Sequence, residues 1–118
     1  GRSINPSWIE QLITKSLKID EAYVFCNNEG KLAIAVKNYS NNNFKNLKKN
    51  IDLVVPEYAR PERIYFINSI FLKKYKLLNS NGKVIKQKLY QTLNSNIYIK
   101  EYNIPFFPLV LFRVYALE

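Results

Sequence analysis

A glycine followed directly by a lysine, Gly82-Lys83, is the pair of residues in this sequence best suited to chemistry. Three small polar residues, Asn79 to Asn81, precede it, and an apolar and basic run from Val84 to Leu89 follows. Gly82 can adopt backbone angles that other residues avoid, so the chain can turn sharply there. A lysine just beyond such a turn is suited to binding a carboxylate or a phosphate. The same residues are also compatible with a turn before an ordinary helix that carries solvated lysines.

Other catalytic side chains are scarce. The sequence has no histidine, which excludes histidine metal sites and histidine general bases, and no metal site is expected. The single cysteine, Cys26, excludes an internal disulfide framework, so a reducing cytoplasm is the expected location. Cys26 itself is expected to be a core residue at the end of a strand.

Composition indicates one folded domain with a basic surface. The chain has 118 residues, of which 47% are hydrophobic, enough for a real core. Lys and Arg number 18 against 9 Asp and Glu, a net charge of +9, which favours an anionic partner: nucleic acid, a phosphorylated cofactor or an acidic protein face. A codon bias towards lysine and asparagine would produce the same composition. No transmembrane segment is expected, because the apolar run near the end is too short and too broken.

The first element that must position these residues is a helix over residues 6–17. Asn5 can cap it, and Pro6 can occupy its first position. Apolar residues then follow at helical spacing: Trp8, Ile9, Leu12, Ile13 and Leu17. Glu10 lies in this helix and is interpreted as an ordinary surface or cap-proximal carboxylate, in preference to a functional one.

The remaining pattern predicts an α+β fold with a small three-stranded sheet. Residues 21–26 and 31–36 indicate strands joined by an Asn-Gly turn, and residues 64–67 indicate a third. A second helix ends before Pro56, with a solvated lysine face, and a short closing helix follows Lys83. The apolar positions of the second helix are Phe44, Leu47, Ile51 and either Leu53 or Val54. The helices are expected to cover the sheet on one side.

Three motifs in this order resemble the adenylate-forming superfamily: acyl- and aryl-CoA synthetases, peptide-synthetase adenylation domains and luciferases. Residues 1–10 match its G-x-x-I-x-P-x-x-I-E segment, residues 56–61 its P-x-Y-x-x-P step, and residues 81–83 its N-G-K. The resemblance covers about residues 1–93 and implies the small C-terminal lid domain of such an enzyme, without its large N-terminal domain. The sequence departs from the family between Asn68 and Ser80, where the expected loop is longer than usual and lacks a proline.

The resemblance implies a ligase that activates a carboxylic acid with ATP and Mg²⁺ and then passes the acyl group to a thiol. Lys83 would be the adenylation lysine and Gly82 part of the nucleotide-binding turn. Gly1 and Arg2 would flank the route of the thiol donor, which is coenzyme A or the phosphopantetheine of a carrier protein. The nucleotide and acid pockets would belong to the missing domain, so the isolated chain is expected to be inactive.

Residues 94–118 form an extension without a counterpart in the family. Its apolar stretch, residues 104–112, is expected either to pack on its own domain or to dock on the missing domain or on a second copy. Gly1 and Leu117-Glu118 have the form of expression-tag remnants.

Two other classes of function remain open. One is a basic nucleic-acid-binding module, supported by the charge of +9 with nine tyrosines and seven phenylalanines. It is disfavoured because the aromatic residues fall mostly at core-periodic positions, so no nucleic-acid partner is expected. The other is an interaction domain that uses the apolar extension.

Overall fold

A mixed β-sheet lies at the centre of the fold. The computed structural model describes residues 5–37, 44–95, 99–106 and 110–117. Strands β1 (Glu21–Cys26) and β2 (Leu32–Lys37) form an antiparallel hairpin, and β3 (Arg63–Ile67) pairs in parallel with β2. The predicted α+β fold with its three strands is confirmed.

Four α-helices pack against this sheet. α1 spans Pro6–Leu17, as its cap and proline predict, and α2 spans Phe44–Val54 and ends before Pro56. A 3-10 turn follows at Glu57–Ala59. α3 (Ser69–Lys74) forms within the stretch that was expected to be a loop, because the Asn68 side chain accepts a hydrogen bond from the backbone N–H of Phe71 at 2.8 Å and so caps the helix.

The last helix completes two layers of helices, one on each face of the sheet. α4 spans Lys86–Asn94 and packs with α3 on the sheet face opposite α1 and α2. The prediction that helices cover one side of the sheet is wrong. The reason is visible in the strands, whose consecutive inner residues are all buried, as expected of a sheet covered on both faces.

Two apolar clusters result, one on each face. The first cluster lies under α1 and α2 and is formed by Ile9, Ile13, Ile19, Ala22, Val24, Ile34, Val36, Leu47, Ile51, Val55, Ala59, Ile64 and Phe66. The second cluster lies under α3 and α4 and is formed by Tyr23, Phe25, Ala33, Ala35, Tyr65, Ile67, Phe71, Leu72, Leu77, Leu89 and Leu93.

A few side chains depart from the pattern that the sequence predicts. Cys26 was expected in the core but is exposed, because it is the last residue of β1 and lies beyond the covered part of the sheet. Of the two alternatives at the end of α2, Val54 packs against the first cluster whereas Leu53 is 80% exposed. Trp8 of α1 is also exposed, at 41%.

The C-terminal extension continues the sheet. Strand β4 (Ile99–Phe106) pairs antiparallel with β5 (Val110–Leu117), and β5 pairs in parallel with β3. The strand order is therefore β1-β2-β3-β5-β4. Pro105 lies in β4, an edge strand, where a proline is tolerated because one side of the strand needs no ladder hydrogen bonds. Among the described residues, no helix is long and apolar enough to cross a bilayer.

Candidate functional site

Lys83 is the last residue of a tight turn that begins at Asn79. The Asn79 N–H donates to the Lys83 carbonyl at 2.8 Å, and the Gly82 N–H donates to the Asn79 carbonyl at 3.0 Å. The Asn79 side-chain oxygen accepts from the N–H groups of Asn81 and Lys83, at 2.9 and 3.0 Å. Gly82 has a φ of +79°, in the left-handed region that glycine tolerates best. Asn79 thus holds both backbone polar groups of Lys83.

The hairpin turn between β1 and β2 has the same construction. The Asn27 N–H donates to the Lys31 carbonyl at 2.8 Å, and the Gly30 N–H donates to the Asn27 carbonyl at 3.0 Å. The Asn27 side-chain oxygen accepts from the N–H groups of Glu29 and Lys31, at 3.0 and 2.9 Å. Gly30 has a φ of +77°. The pattern Asn-x-x-Gly-Lys is therefore a turn motif that this chain uses twice, a repeat visible in the sequence that would have revealed the role of Asn79.

The Lys83 turn is anchored in the second cluster. An antiparallel bridge joins Leu78 to Val84 across its base, and the Ile85 N–H donates to the Leu77 carbonyl at 2.7 Å. Leu77 is almost completely buried. Because α4 begins only at Lys86, Lys83 lies before the helix and projects from the turn instead of from a helical face.

Lys31 and Lys83 differ in the charges around them. The Lys31 ammonium lies 3.8 Å from the Glu62 carboxylate. Lys83 is exposed and takes part in none of the ion pairs found in the described part of the chain. Residues 64–95 contain six lysines and no acidic residue. Among the described residues, the Lys83 ammonium therefore has no carboxylate partner.

Glu10 links the layer that contains α1 to the start of α4. One carboxylate oxygen accepts a hydrogen bond from the Val24 N–H at 2.8 Å, and the other lies 3.5 Å from the Lys86 ammonium. The Glu10 side chain is only 14% exposed. β1 is an edge strand of the described sheet, so this carboxylate satisfies an N–H on its outer side. The interpretation of Glu10 as an ordinary surface carboxylate is wrong, because the edge of the sheet folds against it.

Two tyrosines border this carboxylate and have raised pKa values. Burial, with the negative charge of Glu10 as a second cause, raises the pKa of Tyr90 to about 12. Burial also raises the pKa of Tyr23, together with its hydrogen bond to Glu21 and the charges of Glu21 and Glu10. Both phenols are therefore neutral near pH 7, and the Tyr23 hydroxyl donates a hydrogen bond to Glu21.

Other features of the described residues lie away from Lys83. A shallow surface depression of about 220 Å³ is lined by α1 residues, namely Trp8, Gln11, Leu12, Lys15 and Ser16. No group of three or more acidic, histidine or cysteine residues in the described part of the chain is arranged to hold a metal ion. Of the candidate site residues, Gly82 and Lys83 lie in one turn, whereas Gly1 and Arg2 lie outside the described residues.

No family model matches the chain, and no curated protein matches it.

Proposed function

We propose that this chain is the C-terminal lid domain of an ATP-dependent, carboxylate-activating ligase and that Lys83 is its adenylation lysine. The observation that carries the proposal is the presentation of Lys83: its backbone is held by Asn79 while its exposed ammonium has no carboxylate partner among the described residues. The order of the three sequence motifs supplies the reaction class.

In the first step a carboxylate oxygen of the acid attacks the α-phosphorus of ATP. The bond to the bridging oxygen breaks, pyrophosphate leaves, and an acyl-adenylate remains. Negative charge increases on the oxygens around the reacting phosphorus, and an ammonium fixed there stabilises the transition state more than the separated reactants. Lys83 supplies that ammonium, and Mg²⁺ and most of the ATP contacts are assigned to the N-terminal domain.

In the second step a thiolate attacks the acyl carbon and AMP leaves, which forms the thioester. The thiol belongs to coenzyme A or to the phosphopantetheine of a carrier protein. Rotation of the lid withdraws Lys83 for this step, and closure in the first step keeps water from the hydrolysable adenylate. A turn anchored by Leu77 in the second cluster suits this use, because the whole domain can move while Lys83 keeps its position on it.

Gly82 contributes through its backbone conformation. A Cβ built on Gly82 meets no atom within 4 Å, so within this chain the glycine is required by its positive φ and not by crowding. The same holds for Gly30, which makes the β1–β2 turn an internal reference for the Lys83 turn.

The test is ATP–pyrophosphate exchange in the full-length protein with a panel of carboxylic acids, comparing Lys83→Ala with Lys31→Ala. Both substitutions shorten an exposed lysine at the same position of the same turn type, and Lys31→Ala also removes an exposed ion pair that contributes at most about 1 kcal/mol. We expect Lys83→Ala to lower exchange by a factor of about 10²–10³ with ATP binding retained, because one transition-state contact is lost. Lys31→Ala should exchange like the wild type. Equal exchange in the two variants would exclude Lys83 from the adenylation step.

A further inference from the structure

The two layers of the protein differ strongly in charge. Residues 5–63, which contribute β1, β2, α1, α2 and the first residue of β3, contain nine basic and seven acidic residues. Residues 64–95, which contribute α3, the Lys83 turn and α4, contain six lysines and no acidic residue. The net charge of the chain is therefore concentrated on the layer over the second cluster, and such a surface attracts anions over distances of about a Debye length.

An apolar side chain stands among these lysines. Ile70 of α3 is 77% exposed. Lys73 and Lys74 follow it by three and four residues, which places all three on one face of the helix, and both lysines are exposed. Phe71 and Leu72 are buried in the second cluster and fix α3 with that face outward.

The basic face continues from α3 onto α4. Lys76 follows the last turn of α3 and is exposed. The Lys88 ammonium donates a hydrogen bond to the Lys76 carbonyl at 3.3 Å, which brings α4 against the end of α3. We call Ile70, Lys73, Lys74, Lys76 and Lys88 the lysine face.

We propose that the lysine face binds the surface of an anionic lipid bilayer. Its lysines would contact phosphate and carboxylate groups of the headgroups, while Ile70 would enter the interface between headgroups and acyl chains. An exposed apolar residue beside lysines is the combination that such a surface recognises, since electrostatic attraction and apolar burial then act together. The inference goes beyond the proposed function and does not depend on it, because Lys83 is not part of the lysine face.

A nucleic-acid partner fits this face less well. Single-stranded nucleic acids are bound by lysines interleaved with exposed aromatic rings on which bases stack. The exposed aromatic residues among the described side chains are Trp8 and Tyr58, at 41% and 47%, and they belong to the opposite layer, beside the first cluster. On the lysine face the exposed large hydrophobic residue is aliphatic, and an isoleucine offers no stacking surface.

The test is co-sedimentation of the full-length protein with vesicles of phosphatidylcholine alone and of phosphatidylcholine mixed with phosphatidylserine. We expect binding to the mixed vesicles only, weakened by salt. Each lysine near an anionic surface raises partitioning about fivefold, so the double variant Lys73→Gln/Lys74→Gln should bind about 25-fold more weakly. Ile70→Asn should lose about tenfold, and this loss should persist at high salt because it is apolar in origin.

Matched controls lie on the opposite layer. Leu53→Asn changes an aliphatic residue that is 80% exposed on α2, and Lys15→Gln/Lys49→Gln removes two exposed lysines. Neither should change vesicle binding. All the substituted residues are exposed, and circular dichroism will verify that each variant keeps the fold.

Three results would overturn the proposal. The first is an absence of binding to anionic vesicles in the wild type. The second is an equal loss in the α2-layer controls, which would mean attraction by net charge alone. The third is binding to a single-stranded oligonucleotide that is lost in the Lys73/Lys74 variant but kept in Ile70→Asn, without vesicle binding; that result would assign the lysine face to nucleic acid.

Discussion

Replacing Glu10 by alanine is expected to lower the free energy of unfolding by about 2–3 kcal/mol, a large loss for a single residue. The substitution removes the acceptor of the Val24 N–H at the edge of β1. It also removes the ion pair with Lys86. Both contacts cross between elements that are far apart in sequence, so both are lost on unfolding.

The two contacts differ in their expected contribution. A hydrogen bond to a charged group contributes about 1.5–3 kcal/mol, and here the Glu10 side chain is 14% exposed and Val24 is 2% exposed, so water replaces the carboxylate poorly. The Lys86 side chain is 51% exposed, and its ion pair at 3.5 Å is therefore expected to contribute less than about 1 kcal/mol. The hydrogen bond should account for most of the loss.

Urea unfolding of the chain separates the two contributions. Glu10→Gln keeps an oxygen that can accept from Val24 but removes the charge, so it should lose about 1 kcal/mol, less than Glu10→Ala. Lys86→Ala, the matched control, removes only the ion pair and should lose less than about 1 kcal/mol. The m-value should stay constant in all three variants, because the surface exposed on unfolding hardly changes.

Two outcomes would refute this reasoning. If Lys86→Ala destabilised the chain as much as Glu10→Ala, the ion pair and not the hydrogen bond would be the main contact. If Glu10→Ala cost less than about 0.5 kcal/mol, the carboxylate would not be satisfying the edge of β1 at all.

Two further predictions concern the turns and the buried phenol. Gly82→Ala and Gly30→Ala should each destabilise the chain by about 1–2 kcal/mol, because each forces a residue with a Cβ into a left-handed conformation without a clash. Only Gly82→Ala should lower ATP–pyrophosphate exchange in the full-length protein. Unequal stability losses in urea unfolding would contradict the likeness of the two turns. The folded pKa of Tyr90, about 12, lies above the unfolded value near 10, so its stabilising contribution is complete below pH 10 and is lost as the pH rises through about 12. Tyr90→Phe should therefore flatten the decline of unfolding free energy over that range, and an unchanged pH dependence would argue against a buried neutral phenol.

The element boundaries were largely predictable because their signals are local. Asn5 and Pro6 start α1, and the Asn5 side chain accepts from the N–H groups of Ser7 and Trp8 as a cap does. Pro56 marks the end of α2 in the same way. The cap of α3 at Asn68 is a signal of this kind that the sequence also contains, although the family resemblance favoured a loop there.

The turn at Gly82-Lys83 was predictable from the sequence, but the contacts that hold it were not. Gly82 and Lys83 stand where the motif indicates, in a turn with the required positive φ. The role of Asn79 became visible only through the hydrogen bonds that it shares with Asn27 of the other turn. The difference between Lys83 and Lys31 depends on Glu62, which neighbours Lys31 in space but not in sequence.

The sequence by itself determined the helices and strands up to Asn94, with the exception of α3. It also determined the two Asn-x-x-Gly-Lys turns and the concentration of lysines after residue 63. Each of these features depends on neighbouring residues or on composition. Tertiary structure alone decided that helices cover both faces, that Cys26 is exposed, and that β5 and β4 extend the sheet beyond β3. It also decided that the largely buried Glu10 carboxylate contacts both Val24 and Lys86. These features depend on contacts between residues far apart along the chain, and such contacts exist only once the two layers have packed on the sheet.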